Sequence, residues 1–259
     1  MALETNNFSK LRRAVRINRD TAEKQKKEEG SWSAYDSPIE RFASTFKEVL
    51  PPYQKLYDSR EPGLQQIAEM FRQYIEQVLQ NSGHNIAIEL GGPGSALFRS
   101  FSEGFFNRTA GICLKDVRKT KEKVIDEMYH HTIVAGDIFD VKTFIRLKHT
   151  LNTQKVDLII SRIVAPLYDM RMDSAILDHT IRSWYKLLNE NGLIFVQFEG
   201  LNEIPPITEP KVKAWAKALS EKCPEVEVQV GKSSLRLHKK PGAPGELPRA
   251  KELFSSSSQ

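Results

Sequence analysis

The chain has 259 residues, 40% of them hydrophobic and 27% charged, with a formal net charge of +5; this is the make-up of a folded chain long enough for one large core, and its mild basic excess permits an acidic or nucleic-acid partner without requiring one. Membrane-spanning and disulfide-framework classes are excluded: no apolar run approaches the ~18 residues of a span, and two cysteines, Cys113 and Cys223, make no framework. The polar first thirty residues lack the apolar core of a secretory signal, so a reducing, cytoplasmic setting is the plain expectation, with the oligomeric state left open.

Residues 1–63 read as an N-terminal arm followed by a helical cap. The basic group Lys10, Arg12, Arg13, Arg16 and Arg19 is expected as a solvated helix face. Residues 31–60 carry Trp32, Tyr35, Phe42, Phe46, Leu50 and Tyr53, broken by Pro51-Pro52, and are expected as short helices covering a cleft. After the turn Glu61-Pro62-Gly63, the apolar positions Leu64, Ile67, Phe71, Ile75, Val78 and Leu79 recur at helical spacing, and Asn81-Ser82-Gly83 stops that helix.

Short apolar runs then alternate with amphipathic segments. Strands are expected at Asn85–Leu90, Thr109–Leu114, Thr132–Ala135, Val156–Ser161 and Leu193–Phe198, with helices at Ser95–Phe106, Val117–His130, Val141–Leu151 and Asp173–Leu188. Asn189–Gly192 reads as a turn, and Lys211–Lys222 as a helix bounded by Pro210 and Pro224. Val226–Val230 and Ser234–His238, joined by three residues, must form an antiparallel hairpin. Residues 241–259, rich in Pro and Gly and then in Ser, are expected as a flexible tail. The fold class is therefore α/β: a doubly wound, mostly parallel seven-stranded sheet with a C-terminal antiparallel hairpin and an N-terminal helical extension.

Ligands of open α/β sheets bind beyond the carboxyl ends of the strands, where strand order reverses. The loop there reads Glu89-Leu90-Gly91-Gly92-Pro93-Gly94-Ser95. Its glycines let backbone approach a ligand closely, a helix from Ser95 would aim free N–H groups into the crevice, and the acid complements a cation.

Glu89–Gly94 resembles the acidic, glycine-rich first motif of class I S-adenosylmethionine-dependent methyltransferases. Gly136-Asp137-Ile138-Phe139 after strand three, Val156–Ile160 and Leu187–Leu193 fall where that family's later features fall, and the resemblance covers residues 64–240. It implies S-adenosylmethionine as cofactor, held by Glu89, Gly91, Gly92 and Gly94, by Asp116 at the ribose, and by Asp137 and Ile138 near the adenine. It implies methyl transfer to an acceptor that the sequence does not choose among small molecule, protein or RNA. Arg162, Tyr168 and Asp169, after strand four, are the candidates for acceptor contacts. No catalytic residue is assigned, since a sulfonium methyl needs positioning more than acid–base help.

The loop is one residue shorter than the common G-x-G-P-G form. Cys113 stands where the family presents its ribose acid, and a thiol is a poor acceptor for two hydroxyls. A non-catalytic, methyltransferase-like binding or regulatory protein is thus the alternative. A dinucleotide oxidoreductase ranks third, because G-x-G-x-x-G is absent. Asp116 and Asp137 also read as cap or turn residues, and His130-His131 as a helix-end pair, not a metal site.

Overall fold

The computed structural model describes residues 37–56, 62–83, 85–116, 118–162, 174–198 and 209–254. Seven strands, β1 (Ile86–Leu90), β2 (Arg108–Cys113), β3 (His131–Ala135), β4 (Val156–Ser161), β5 (Leu188–Gln197), β6 (Val226–Val230) and β7 (Ser234–Lys239), form one sheet in the order β3-β2-β1-β4-β5-β7-β6. The first five are parallel, and β7 runs antiparallel to both β5 and β6. This is the mostly parallel seven-stranded sheet with a C-terminal antiparallel hairpin that the sequence leads one to expect.

Both faces are covered, which is why the central strands are apolar on successive residues. One face packs under α1 (Ile39–Phe46), the short α2 (Pro51–Gln54), α3 (Leu64–Leu79) and α4 (Ser95–Arg99), with Phe42, Phe46, Phe71 and Phe195 at its centre. Phe195 lies 5.3 Å from both Phe46 and Phe71, ring centre to ring centre. Helices α6 (Val141–Leu151), α7 (Ser174–Tyr185) and α8 (Glu209–Lys222) cover the other face through Leu147, Trp184 and Trp215. A further helix, α5 (Thr120–Met128), flanks the edge strand β3.

The N-terminal helices are built into the core. Arg236 on β7 is fully buried; its Nε donates to the Val49 carbonyl (2.9 Å) and its Nη1 to the Tyr74 hydroxyl (2.7 Å), with Glu227 as counter-charge at 2.5 Å. Glu48 accepts from the Lys232 N–H (2.8 Å). A buried guanidinium with this many partners clamps the N-terminal segment to the sheet. Asp157 is likewise fully buried at the start of β4: it accepts from the Ile86 N–H (2.7 Å) and the Asn189 amide (2.9 Å), tying β1 and β5 to β4.

Several expected boundaries move. The helix from Ser95 stops at Arg99 instead of Phe106: the Ser100 hydroxyl donates back to Ala96, Gly104 takes φ +70°, and Phe101, Phe105 and Phe106 fold together beside Phe98. The helix expected over Val117–His130 spans only Thr120–Met128, and His131 opens β3 as a buried strand residue instead of ending a helix. Strand five starts at Leu188, because Leu188 pairs with Val156 and Leu193 with Leu158; the Asn189–Gly192 turn bulges out between them, with Asn191 at φ +60°. The expected tail is structured to residue 254. Leu247 and Leu253 are buried, the Tyr185 hydroxyl donates to the Pro244 carbonyl (2.7 Å), and Ala250–Phe254 is a helix, α9. Proline and glycine end regular elements, but they do not prevent the chain from packing.

Candidate ligand crevice at the switch point

From β1 the chain winds one way to β2 and β3, and from β4 the other way to β5. The crevice of such a sheet opens where β1 and β4 lie side by side, and Glu89 and Arg162 stand at their carboxyl ends. Ser161 extends the strand pairing with its hydroxyl, which donates to the Leu90 carbonyl (3.3 Å).

The loop after β1 uses its glycines for different reasons. Gly91 (φ +88°) and Gly94 (φ +71°) occupy left-handed backbone that other residues rarely adopt. Gly92 lies over the Glu89 carboxylate: a Cβ there would sit 2.0 Å from Glu89 Oε1. The loop also leans on β2. The Gly91 N–H donates to the Ile112 carbonyl (2.9 Å), and a Cβ on Gly111 would lie 2.0 Å from the Pro93 oxygen. Helix α4 then has only five residues, so the expected aligned N–H groups form little of a dipole.

Glu89 is 2% exposed, and Arg162 Nη2 lies 3.7 Å from its Oε1. The Arg162 guanidinium sits over the Phe42 ring at 4.5 Å, so α1 reaches the crevice. Tyr168 and Asp169 lie outside the described residues, as do Trp32 and Tyr35.

The β2 side is different. Cys113 is half-buried as the last residue of β2. Asp116 is gripped by Arg118: its Oδ1 accepts from the Arg118 backbone N–H (3.1 Å) and Nε (3.0 Å), and its Oδ2 from Nη2 (2.9 Å). Partial burial raises the Asp116 pKa, but the Arg118 bonds outweigh it and hold the carboxyl below its ordinary value. Arg118 Nη1 also donates to the buried Asp126 (2.7 Å), which accepts from the Ser95 hydroxyl (3.0 Å) and from Arg99 (2.9 Å). Asp116 is thus wired to the first turn of α4. Arg118 and Asp126 were not among the sequence candidates; an acid two residues before an arginine, at the end of β2, was the available signal.

At the end of β3, Asp137 closes a local turn by accepting from the Phe139 N–H (2.8 Å). Ile138 points into the core on the α6 side of the sheet and is 5% exposed. So Glu89, Gly91, Gly92, Gly94 and Arg162 gather at the β1/β4 opening, Asp116 joins them through Asp126, and Ile138 offers the crevice little side chain. Beneath the loop, His131 Nδ1 bonds the Thr109 hydroxyl (2.8 Å); burial pushes its pKa down to about 4, against the pull of Asp126.

No protein-family model matches the chain, and no curated relative matches it. Among solved structures it is similar to an rRNA methylase from Streptococcus thermophilus, at 11% identity and a TM-score of 0.43, covering 66% of this chain and 96% of that one. It is similar also to a ribosomal protein L11 methylase from Lactobacillus delbrueckii subsp. bulgaricus, at 16% identity and a TM-score of 0.38, covering 66% and 79%. A third likeness, to a protein assigned as a SAM-dependent methyltransferase from Streptococcus mutans, has 18% identity and a TM-score of 0.40; it covers 64% of this chain but 47% of that one, less than half its length. Likenesses this remote carry no argument about activity.

Proposed function

We propose that this chain binds S-adenosylmethionine at the β1/β4 opening and transfers its methyl group to an acceptor. The observation that carries the reading is the buried Glu89 carboxylate at the switch point, under a loop whose Gly92 has no room for a side chain. A buried carboxylate calls for cationic partners; Arg162 supplies one at 3.7 Å, and the ammonium and sulfonium of a bound ligand would add to it. When bound, S-adenosylmethionine supplies a methyl group already activated for in-line displacement. The residues of the chain have to bind, orient and exclude water.

The donor set fits unevenly. Glu89 suits the ammonium. Both Asp116 oxygens accept from Arg118, and Lys123 Nζ lies 3.9 Å from Oδ2, so while Arg118 holds it Asp116 has little capacity left for ribose hydroxyls. Phe42 of α1 lies against Arg162 at 4.5 Å, so the expected covering segment meets the crevice through that ring.

Calorimetry of the full chain with S-adenosylmethionine, S-adenosylhomocysteine and NAD tests the reading. Binding of the first two and not of NAD is expected, with Glu89→Gln weakening both by about 10-fold or more. No binding at millimolar ligand overturns it and favours the second reading, a non-catalytic binding module. That reading has its own observations: the Pro93 carbonyl seated on Gly111, and the Asp116 carboxylate engaged by Arg118.

A further inference from the structure

The two edges of the sheet are finished differently. At one end of the strand order, β6 carries Glu227, paired with Lys240 at 2.8 Å, and residues 47–49 lie against it. At the other end, β3 reads His131-Thr132-Ile133-Val134-Ala135, with no proline, no Asp, Glu, Lys or Arg, and an unbroken register against β2. It has none of the devices that usually blunt an edge. The Thr109 N–H donates to the His130 carbonyl, and the Gly136 N–H to the Cys113 carbonyl. The backbone of residues 130, 132, 134 and 136 thus faces β2, and that of His131, Ile133 and Ala135 faces outward, where no strand among the described residues meets it. Exposed apolar side chains gather on the same edge. Of the eight large ones among the described residues, five lie here: Val124, Met128 and Tyr129 at α5, and Val141 and Ile145 on α6. Both helices pack beside β3.

We propose that a second copy of this chain docks on this edge, β3 against β3, joining two seven-stranded sheets into one. The outward backbone groups are centred on Ile133. A two-fold axis there sets Ile133 opposite its own copy and His131 opposite Ala135 of the second copy, so that each outward N–H meets an outward carbonyl in an antiparallel ladder. The same axis lays each of α5 and α6 antiparallel to its own copy and covers the apolar side chains from both faces of the sheet. The charges agree with that direction. Helix α5 has Lys121 and Lys123 toward its start and Glu127 toward its end, while α6 has Asp140 as its N-cap and Lys148 and His149 in its last turn. Antiparallel packing therefore brings an acidic end to a basic end on both faces. Arg146, near the middle of α6, opposes this by like charge, which salt screens. A lone extended peptide could pair the edge but would leave most of the apolar side chains uncovered.

Sedimentation velocity on the full chain tests this. At about 100 μM chain, a species of twice 29.6 kDa is expected. Hydrogen exchange of residues 131–135 should be slower at that concentration than at about 0.1 μM. Ile133→Pro removes an outward N–H without touching the bonds to β2. Ile145→Lys places a charge at an exposed position that the fold of the single chain does not use. Each substitution is expected to weaken the dimer by about 10-fold or more. A wild-type chain that stays monomeric at about 100 μM overturns the proposal without recourse to any variant. So does a dimer that Ile145→Lys leaves as tight as before, or one whose formation leaves exchange at residues 131–135 unchanged, because its contact then lies elsewhere.

Discussion

Two acid–arginine clusters flank the crevice, and they are built in opposite ways. On the β2 side, Arg118 grips both oxygens of Asp116 and reaches on to Asp126, through bonds of 2.7 to 3.1 Å. On the β1/β4 side, Arg162 and Glu89 stand 3.7 Å apart, and the arginine rests on an aromatic ring. The residue types are the same. The first cluster is saturated by the chain itself and acts as a brace for the loop and α4. In the second the closest charged atoms stand beyond hydrogen-bond distance, and the arginine is backed by the Phe42 ring. Residue type alone therefore does not tell the two clusters apart; the spacing of their charged atoms does.

The comparison can be broken most severely at the brace. Asp126→Ala leaves Arg118 in a buried place with its second counter-charge gone, and removes the acceptor of Ser95 and Arg99. A loss of about 3–5 kcal/mol is expected in urea unfolding; a loss below ~1 kcal/mol would mean that the network does not brace the fold. Acid should act on the same region. His131 is held neutral by burial, with its pKa pushed down from 6.5 to about 4. Between those values the unfolded chain takes up a proton that the folded chain refuses, so stability falls as pH falls from about 6.5 toward 4. The contribution is on the order of 3 kcal/mol at most. His131→Gln should flatten part of that slope in pH-dependent thermal melts; His238, also pushed down to about 4, keeps the rest.

Gly111→Ala sharpens the comparison. The new Cβ would meet the Pro93 oxygen at 2.0 Å, so the loop must lift. A cost of about 1–3 kcal/mol is expected, along with weaker S-adenosylhomocysteine binding; unchanged unfolding midpoints would show that the loop is not seated on β2. The smallest stability effect belongs to the β1/β4 side. Arg162→Met takes a counter-charge from the buried Glu89 and should cost about 1–2 kcal/mol, less than at Asp126 because the charged atoms are 3.7 Å apart and the arginine is partly exposed. A stability loss matching that of Asp126→Ala would place Arg162 among the braces instead.

Much of the fold is legible in chain order because it depends on local pattern. Alternating apolar runs and amphipathic segments mark parallel crossover units, and a three-residue link between Val230 and Ser234 admits only an antiparallel hairpin. Residues Ser100–Phe106 are not legible in this way, since an apolar, aromatic run fits a helix and a packed turn equally well. Nor is the packing of the C-terminal segment, because burial of Leu247 and Leu253 depends on α7 and α8 being beside it.

By itself, then, the sequence determined the element order, the sheet directions and the glycine loop after β1, because backbone preference and hydrophobic period act over neighbouring residues. Only the tertiary structure decided which charges meet. Asp157 reaches Ile86 across 71 residues, Arg236 reaches Val49 across 187, and Arg162 comes to Glu89 only because β4 lies beside β1. A carboxylate in a sequence has no partner until the crossovers close, and its partner decides whether it holds the fold or is positioned to take a ligand.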